Sequence, residues 1–189
     1  RNTTGKSKPN ENNVEIKKSQ ETWRYKHVDN PFGISPVLIA EENNRMVGVR
    51  AFMQWRWQLQ NDIWVSYRAV DTATHPDYQG RGLFKTLTLK ALDYIQEIGD
   101  CFVFNTPNDQ SRPGYLKMGW KEVGKIKVAI IPTFLYGLSS LFSKRKYSNA
   151  ITNNQLQLLC DRHNKHLVEK NVLFTPKSFE YLKWRYEEN

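Results

Sequence analysis

The sequence predicts an α/β protein of the α+β kind, in which helices flank a mixed, mainly antiparallel sheet. Three observations lead there. Three β-rich segments separated by polar breaks succeed one another between residues 36 and 74. The hydrophobic period then shifts to steps of three and four over residues 81–98. A short uninterrupted apolar run, residues 101–104, follows at once.

Residues 36–40 are apolar, residues 41–45 are turn-like, and residues 46–57 are again β-rich, which is the pattern of a hairpin. A polar break at Gln60, Asn61 and Asp62 leads to residues 63–74, rich in Trp, Val, Tyr and Thr, a third strand of the same meander. Pro76 ends it, because proline has no amide hydrogen for a ladder. Phe84, Leu87, Ala91, Ile95 and Ile98 fall on one helical face. Gly99 suits a left-handed cap at the helix end. The run 101–104 is then expected as a strand buried within the sheet, completing a right-handed βαβ unit. A shorter helix is expected over 109–118, stopping at Gly119, and a further strand over 120–131. Beyond Pro132 the sequence offers an apolar stretch at 134–142, a basic triplet at 144–146, helical spacing at 154–168 and an aromatic helix at 178–186.

A length of 189 residues suits one compact domain. Residues 1–24 are polar and are expected as a flexible leader. With 28 Lys and Arg against 19 Asp and Glu, the net charge of +9 favours anionic partners: nucleic acid, acidic membranes or phosphate-rich cofactors. Cys101 and Cys160 stand apart with no CxxC spacing, so neither a zinc site nor a disulfide framework is expected, and a reducing cytoplasm is the natural setting. No apolar run approaches the roughly 20 residues of a membrane-spanning helix. No metal and no membrane span are expected.

The stretch that carries chemistry joins the third strand to the long helix: Thr72, Ala73, Thr74, His75, Pro76, Asp77, Tyr78, Gln79, Gly80, Arg81, Gly82, Leu83, Phe84. Two glycines let backbone amides converge, the helix start adds unpaired amides and the positive end of its dipole, and Arg81 and Lys85 add charge. A pyrophosphate fits that point. The plain alternative is an ordinary glycine-rich turn. A P-loop would need GxxxxGK, and a dinucleotide loop a third glycine, and neither is present.

This segment resembles the acyl-CoA loop of the GNAT acetyltransferases, Q/R-x-x-G-x-G/A, with Gln79, Gly82 and Phe84 at the three positions. Phe84 departs from the usual small residue. Downstream, Asn108, Ser111, Tyr115, Gly119 and Trp120 are similar to the family's NxxAxxxYxxxGF. The resemblance covers residues 36–131 and implies a GNAT-like sheet whose central strands splay to admit the pantetheine arm. It makes 25–133 the acyltransferase core and 134–189 a C-terminal extension or lid. Family members finish the sheet with a further strand, which the sequence does not show. Residues beyond Asn189 are expected to be missing, or 134–186 to form a lid or partner surface. Residues 179–186 resemble a segment of larger bacterial GNAT proteins, some associated with surface polysaccharide synthesis.

The resemblance implies acetyl-CoA as cosubstrate. It places Thr72, Ala73 and Thr74 along the pantetheine, and Gln79, Gly80, Arg81, Gly82, Leu83, Phe84 and Lys85 at the pyrophosphate. Asn108 would contact the cofactor, although Asn is also a good helix cap. Tyr115 would protonate the departing sulfur, its ordinary alternative being a packed core tyrosine. Asp71, beside the thioester position, is the candidate base, its alternative being that alternation points it into solvent or toward a cation on a neighbouring strand. His75 is a surface-loop histidine or a relay, and Cys101 in its apolar strand is inert.

Three functions follow. The first is an N-acetyltransferase acting on a small amine, an amino sugar or a polypeptide amine, with a homodimer left open. The second is a catalytically silent acyl-CoA-binding domain. The third, nucleic-acid binding, is prompted by the charge and by Trp55-Arg56-Trp57, and is disfavoured because alternation along a strand puts both tryptophans on one packed face.

Overall fold

The computed structural model describes residues 20–126 and 152–186. Its centre is a sheet of order β1-β2-β3-β4, formed by Val37–Glu42, Arg45–Leu59, Asp62–Thr74 and Phe102–Phe104. The first three strands are antiparallel neighbours and β4 is parallel to β3. The β1–β2 turn consists of Asn43 and Asn44, both at positive φ (51° and 57°), the conformation that matches a two-residue hairpin to the twist of its strands. Asparagine tolerates it better than most side chains.

Helix α2, Leu83–Ile98, carries β3 back to β4 and lays Leu87, Thr88, Ala91 and Ile95 on the sheet. Each fully buried Leu or Ile of such a face contributes about 1.5–3 kcal/mol. The facing residues are Phe52, Tyr67 and Ala69, with Tyr115 closing the cluster. The helix starts two residues later than its period suggests, because Gly80 and Gly82 both take positive φ. Gly99 ends it at φ 150° and ψ −176°, an extended glycine conformation rather than the expected left-handed cap.

The opposite face is closed by rings. Helix α1, Gln20–His27, begins inside the stretch expected as leader, and helices α4 (Asn153–Glu169) and α5 (Phe179–Tyr186) follow later in the chain. Phe32, Tyr181 and Trp184 are buried together, with Tyr25 and Trp55 packed against them. Trp184 Nε1 donates to the Tyr25 carbonyl at 2.9 Å, and the Tyr25 hydroxyl donates back to the Trp184 carbonyl. Gln58 and Phe174 exchange backbone hydrogen bonds at 2.8 and 2.9 Å, so the C-terminal segment is stitched to the end of β2. Trp55 packs in this cluster and Trp57 against Phe104 at 5.4 Å, so both rings of the Trp-Arg-Trp segment have packing partners on one face.

Three expectations need correction. The strand at 101–104 is not buried within the sheet: among the described residues β4 is an edge, and Phe102 is 38% exposed. Its apolar run arises because Val103 faces α2's cluster while Phe104 meets Trp57 on the other side. The helix expected at 109–118 is shorter, α3 at Arg112–Lys117, because the Asn108 side chain first captures the Ser111 amide in a turn. Residues 120–126 of the expected strand 120–131 are irregular, with Val123 and Ile126 exposed and no ladder partner among the described residues. Residues 127–131, the apolar stretch 134–142 and the basic triplet 144–146 lie outside the described residues, as do residues 1–19.

Candidate active site

The site begins with an irregularity in β3. Thr72 is paired with Arg50 and Val70 with Ala51, so Asp71 is an extra residue with no partner on β2. It sits at φ 41°, left-handed for a residue with a side chain. A bulge of this kind bends the strand and re-aims the residues after it. The Asp71 carboxylate, 7% exposed, accepts from Lys26 Nζ and lies 2.9 Å from His27 Nε2. His27 is 1% exposed, and its Nδ1 is buried without a hydrogen-bond partner.

Beyond the bulge the sheet opens. Strands β3 and β4 are paired only from Ser66/Phe102 to Arg68/Phe104, so residues 69–74 of β3 have no β4 partner. Where β3 ends, a single 3-10 turn, Pro76–Tyr78, leads to the glycines. Gly80 (φ 76°) and Gly82 (φ 78°) face open space: a Cβ at either would meet nothing within 4 Å. Gly82 caps α2 with no side chain over the helix start, which leaves the first amides of α2 unpaired. Positive-φ glycines and bare helix amides around an empty cradle fit a pyrophosphate.

A cleft of about 740 Å³ runs along this opening. Of the sequence-expected cofactor residues, Thr72, Ala73, Thr74, Gln79, Gly80, Gly82, Leu83, Phe84, Lys85 and Asn108 line it. Arg81 turns away instead, stacking 4.5 Å over the Tyr78 ring and donating from Nη2 to the Asp77 carbonyl at 3.0 Å. Asn108 does not cap α3, whose first flanking residue is Ser111; it holds the turn before the helix, accepting from the Ser111 amide at 2.9 Å and its hydroxyl at 2.8 Å, and borders the cleft. Tyr78, also on the cleft, donates to Glu42, and that bond pushes its phenol up from the ordinary range.

Tyr115 stands behind this wall. It is 5% exposed, and the edge of its ring meets Phe84 at 5.3 Å. Its hydroxyl accepts from Arg50 Nη2 at 2.6 Å. Phe84 occupies the position where the family loop is usually small, and Gly114 makes room for it: a Cβ on Gly114 would lie 3.0 Å from Phe84 Cε1. Burial pushes the Arg50 guanidinium below the usual arginine range, against the opposing pull of Tyr115 and Asp71. Sequence reasoning missed Arg50, Lys26 and His27. Arg50 alone left a trace, as a charge between the apolar neighbours Val49 and Ala51, two residues from Phe52 on the face that alternation turns inward.

A mixed sheet that opens between two parallel strands, with a glycine loop and helix start at the opening, defines an α/β domain with a cleft suited to a phosphate-bearing ligand. The sequence model of the acetyltransferase (GNAT) domain matches residues 9–123, and the chain belongs to that family. Acetyl transfer is the family's activity, and the chain is an acyltransferase by that membership. Among solved structures, it is similar to an acetyltransferase of Trypanosoma brucei (20% identity, TM-score 0.43, covering 52% of this chain and 68% of that one). It is also similar to glucosamine-6-phosphate N-acetyltransferase of Arabidopsis thaliana (14% identity, TM-score 0.44, covering 50% and 65%). A third is a predicted acetyltransferase of Clostridium acetobutylicum with acetyl-CoA (18% identity, TM-score 0.44, covering 52% and 64%). The chain thus spans about two thirds of the length of each. No curated protein matches. Among the described residues no helix is long and apolar enough to cross a membrane, and no three metal-ligating side chains gather.

Proposed function

We propose that this chain transfers the acetyl group of acetyl-CoA to the nitrogen of a small amine, an amino sugar among the candidates, by direct attack. The observation that carries this reading is the convergence of two motifs, separated by α2 and β4, on one cleft. Gly80, Gly82 and the amides of α2 hold the pyrophosphate, with Lys85 beside them. Thr72, Ala73 and Thr74 run along the pantetheine, on the β3 edge that β4 leaves unpaired. Tyr115 gives its proton to the sulfur, and Asp71, raised on its bulge between Lys26 and His27, takes the amine's proton. In this reading residues 25–133 are the catalytic core and 134–189 an extension, of which the described part docks on the ring-closed face. The two free thiols, Cys101 and Cys160, fit a reducing compartment.

Acetyl-CoA binding followed by calorimetry, then thiol release with a panel of amines and amino sugars, tests the reading. Turnover with at least one acceptor is the expected result. A second reading, a silent acyl-CoA-binding domain, draws on the burial of Tyr115 behind Phe84. Micromolar binding with no turnover on any amine would select it. In an active enzyme Tyr115→Phe lowers kcat by about 10²–10⁴-fold, the range of general acid catalysis.

A further inference from the structure

Arg50 lies in the core of the α2 face, 1% exposed, with its guanidinium carbon 5.1, 5.5 and 5.4 Å from the ring centres of Phe52, Phe84 and Tyr115. Its Nη2 donates to Tyr115 Oη at 2.6 Å, and its Nε is buried without a hydrogen-bond partner. A desolvated cation is a poor stabiliser, and an apolar side chain of similar volume often serves a core as well or better. The pairing has a chemical consequence that packing does not require. Arginine has donors only, so the Tyr115 oxygen must be the acceptor, and its own hydrogen is directed elsewhere. The same contact faces the oxygen with a positive charge once that hydrogen leaves.

We propose that Arg50 is the positioning residue of Tyr115: it fixes the phenol so that the hydroxyl hydrogen points away from the guanidinium, and it neutralises the charge left when that hydrogen is transferred. The inference rests on Tyr115 being the acid of the proposed reaction. In that reaction the amine nitrogen bonds to the thioester carbonyl carbon and the carbon–sulfur bond breaks with its electron pair on sulfur. The Tyr115 proton goes to sulfur, giving the free thiol, and the phenolate oxygen stays against Arg50. The proton lost by the amine nitrogen restores the phenol by way of the base and solvent.

The experiment compares Arg50→Met, Arg50→Lys, Tyr115→Phe and the Arg50→Met/Tyr115→Phe double variant in the full chain, with acetyl-CoA and an amine that the wild type turns over. Arg50→Met should lower kcat on the order of 10- to 100-fold, the scale of one hydrogen bond to a charged group. The KM for acetyl-CoA should not move. Arg50→Lys, which keeps the charge without the fork, should recover part of the loss. The double variant should be close to Tyr115→Phe alone, because Arg50 touches the phenol directly and its pull on Asp71 is the smaller one. Wild-type kcat in Arg50→Met, or losses that multiply in the double variant, overturns the inference and leaves the acid reading standing. Wild-type kcat in Tyr115→Phe overturns the acid reading and this inference with it. Melting temperatures of all four separate a catalytic loss from an unfolded variant, and Arg50→Lys in both Tyr115 backgrounds completes the comparison if Arg50→Met does not fold.

Discussion

The two faces of the sheet are built on different terms. On the α2 face, residues 72–85 and 108–114 surround open space with glycines and helix amides, and the buried charge of Arg50 stands behind Tyr115. On the other, rings from Tyr25 and Trp184, 159 positions apart, seal the sheet with reciprocal hydrogen bonds. The first arrangement leaves helix amides open for a ligand to pair, and the second pairs Tyr25 and Trp184 with each other, with Trp57 Nε1 a polar ring atom it buries without a partner among the described residues. Stability is therefore expected to reside in the ring cluster and ligand affinity in the cleft, and substitutions in the two should have separable effects.

The largest effect should come from the ring cluster. Trp184→Ala removes a 4% exposed side chain that packs on Tyr25, Trp55 and Tyr181, and should cost about 3–5 kcal/mol of stability in a denaturant titration. The folded fraction should keep the acetyl-CoA affinity of the wild type. A weaker affinity at unchanged stability would erase the distinction between the faces.

Gly114→Ala tests the wall between cleft and core. The new Cβ would sit 3.0 Å from Phe84 Cε1, with Tyr115 behind the ring, and overpacking of this kind costs about 1–3 kcal/mol. Adding Phe84→Leu should restore part of that loss. If it does not, Phe84 and Gly114 are not a compensating pair, and the unusual residue in the loop needs another explanation.

How much of this was legible in the sequence follows the same division. The cleft could be read because its parts are local: Gly80 and Gly82 announce positive φ, and Phe84, Leu87 and Ala91 announce the helix they start. The bulge at Asp71 could not be read, since it is a relation between β2 and β3 and leaves the alternation of either strand nearly intact. Nor could the pairing of Arg50 with Tyr115 or of Lys26 and His27 with Asp71, which join residues 65, 45 and 44 positions apart. The polarity of residues 20–27 hid α1, whose stability comes from Tyr25 stacking on Trp184 rather than from its own pattern. Apolar residues misled in the other direction at 120–126, where β-type composition meets no pairing strand among the described residues.

Gly82→Ala should have a smaller effect on stability and a larger one on binding. Nothing lies within 4 Å of the added Cβ, so the cost is the left-handed backbone at φ 78°, about 1–2 kcal/mol for a residue with a side chain. Acetyl-CoA affinity should fall beyond what that destabilisation explains, because the methyl group occupies the cradle. Unchanged affinity would remove Gly82 from the pyrophosphate site.

The smallest effect is a dependence on alkaline pH that both faces share. Burial pushes the Cys101 and Tyr67 side chains up on the α2 side, and the Cys160 and Tyr181 side chains up near the ring cluster. An acid whose folded pKa is raised leaves the folded state holding more protons than the unfolded one. Its stabilisation is therefore complete below the unfolded pKa and lost as pH rises through the folded value. The loss should begin near the free thiol value of about 8.5 and deepen near the phenol value of about 10. Lys177, whose ammonium lies 4.7 Å over the Tyr181 ring and is pushed down by burial, has the opposite sign and should offset part of the fall beside the ring cluster. Urea midpoints from pH 7 to pH 10 should decline, and the early part of the decline should flatten in the Cys101→Ala/Cys160→Ala double variant. An undiminished early slope in that variant would assign the whole dependence to the tyrosines and leave the thiols no part in it.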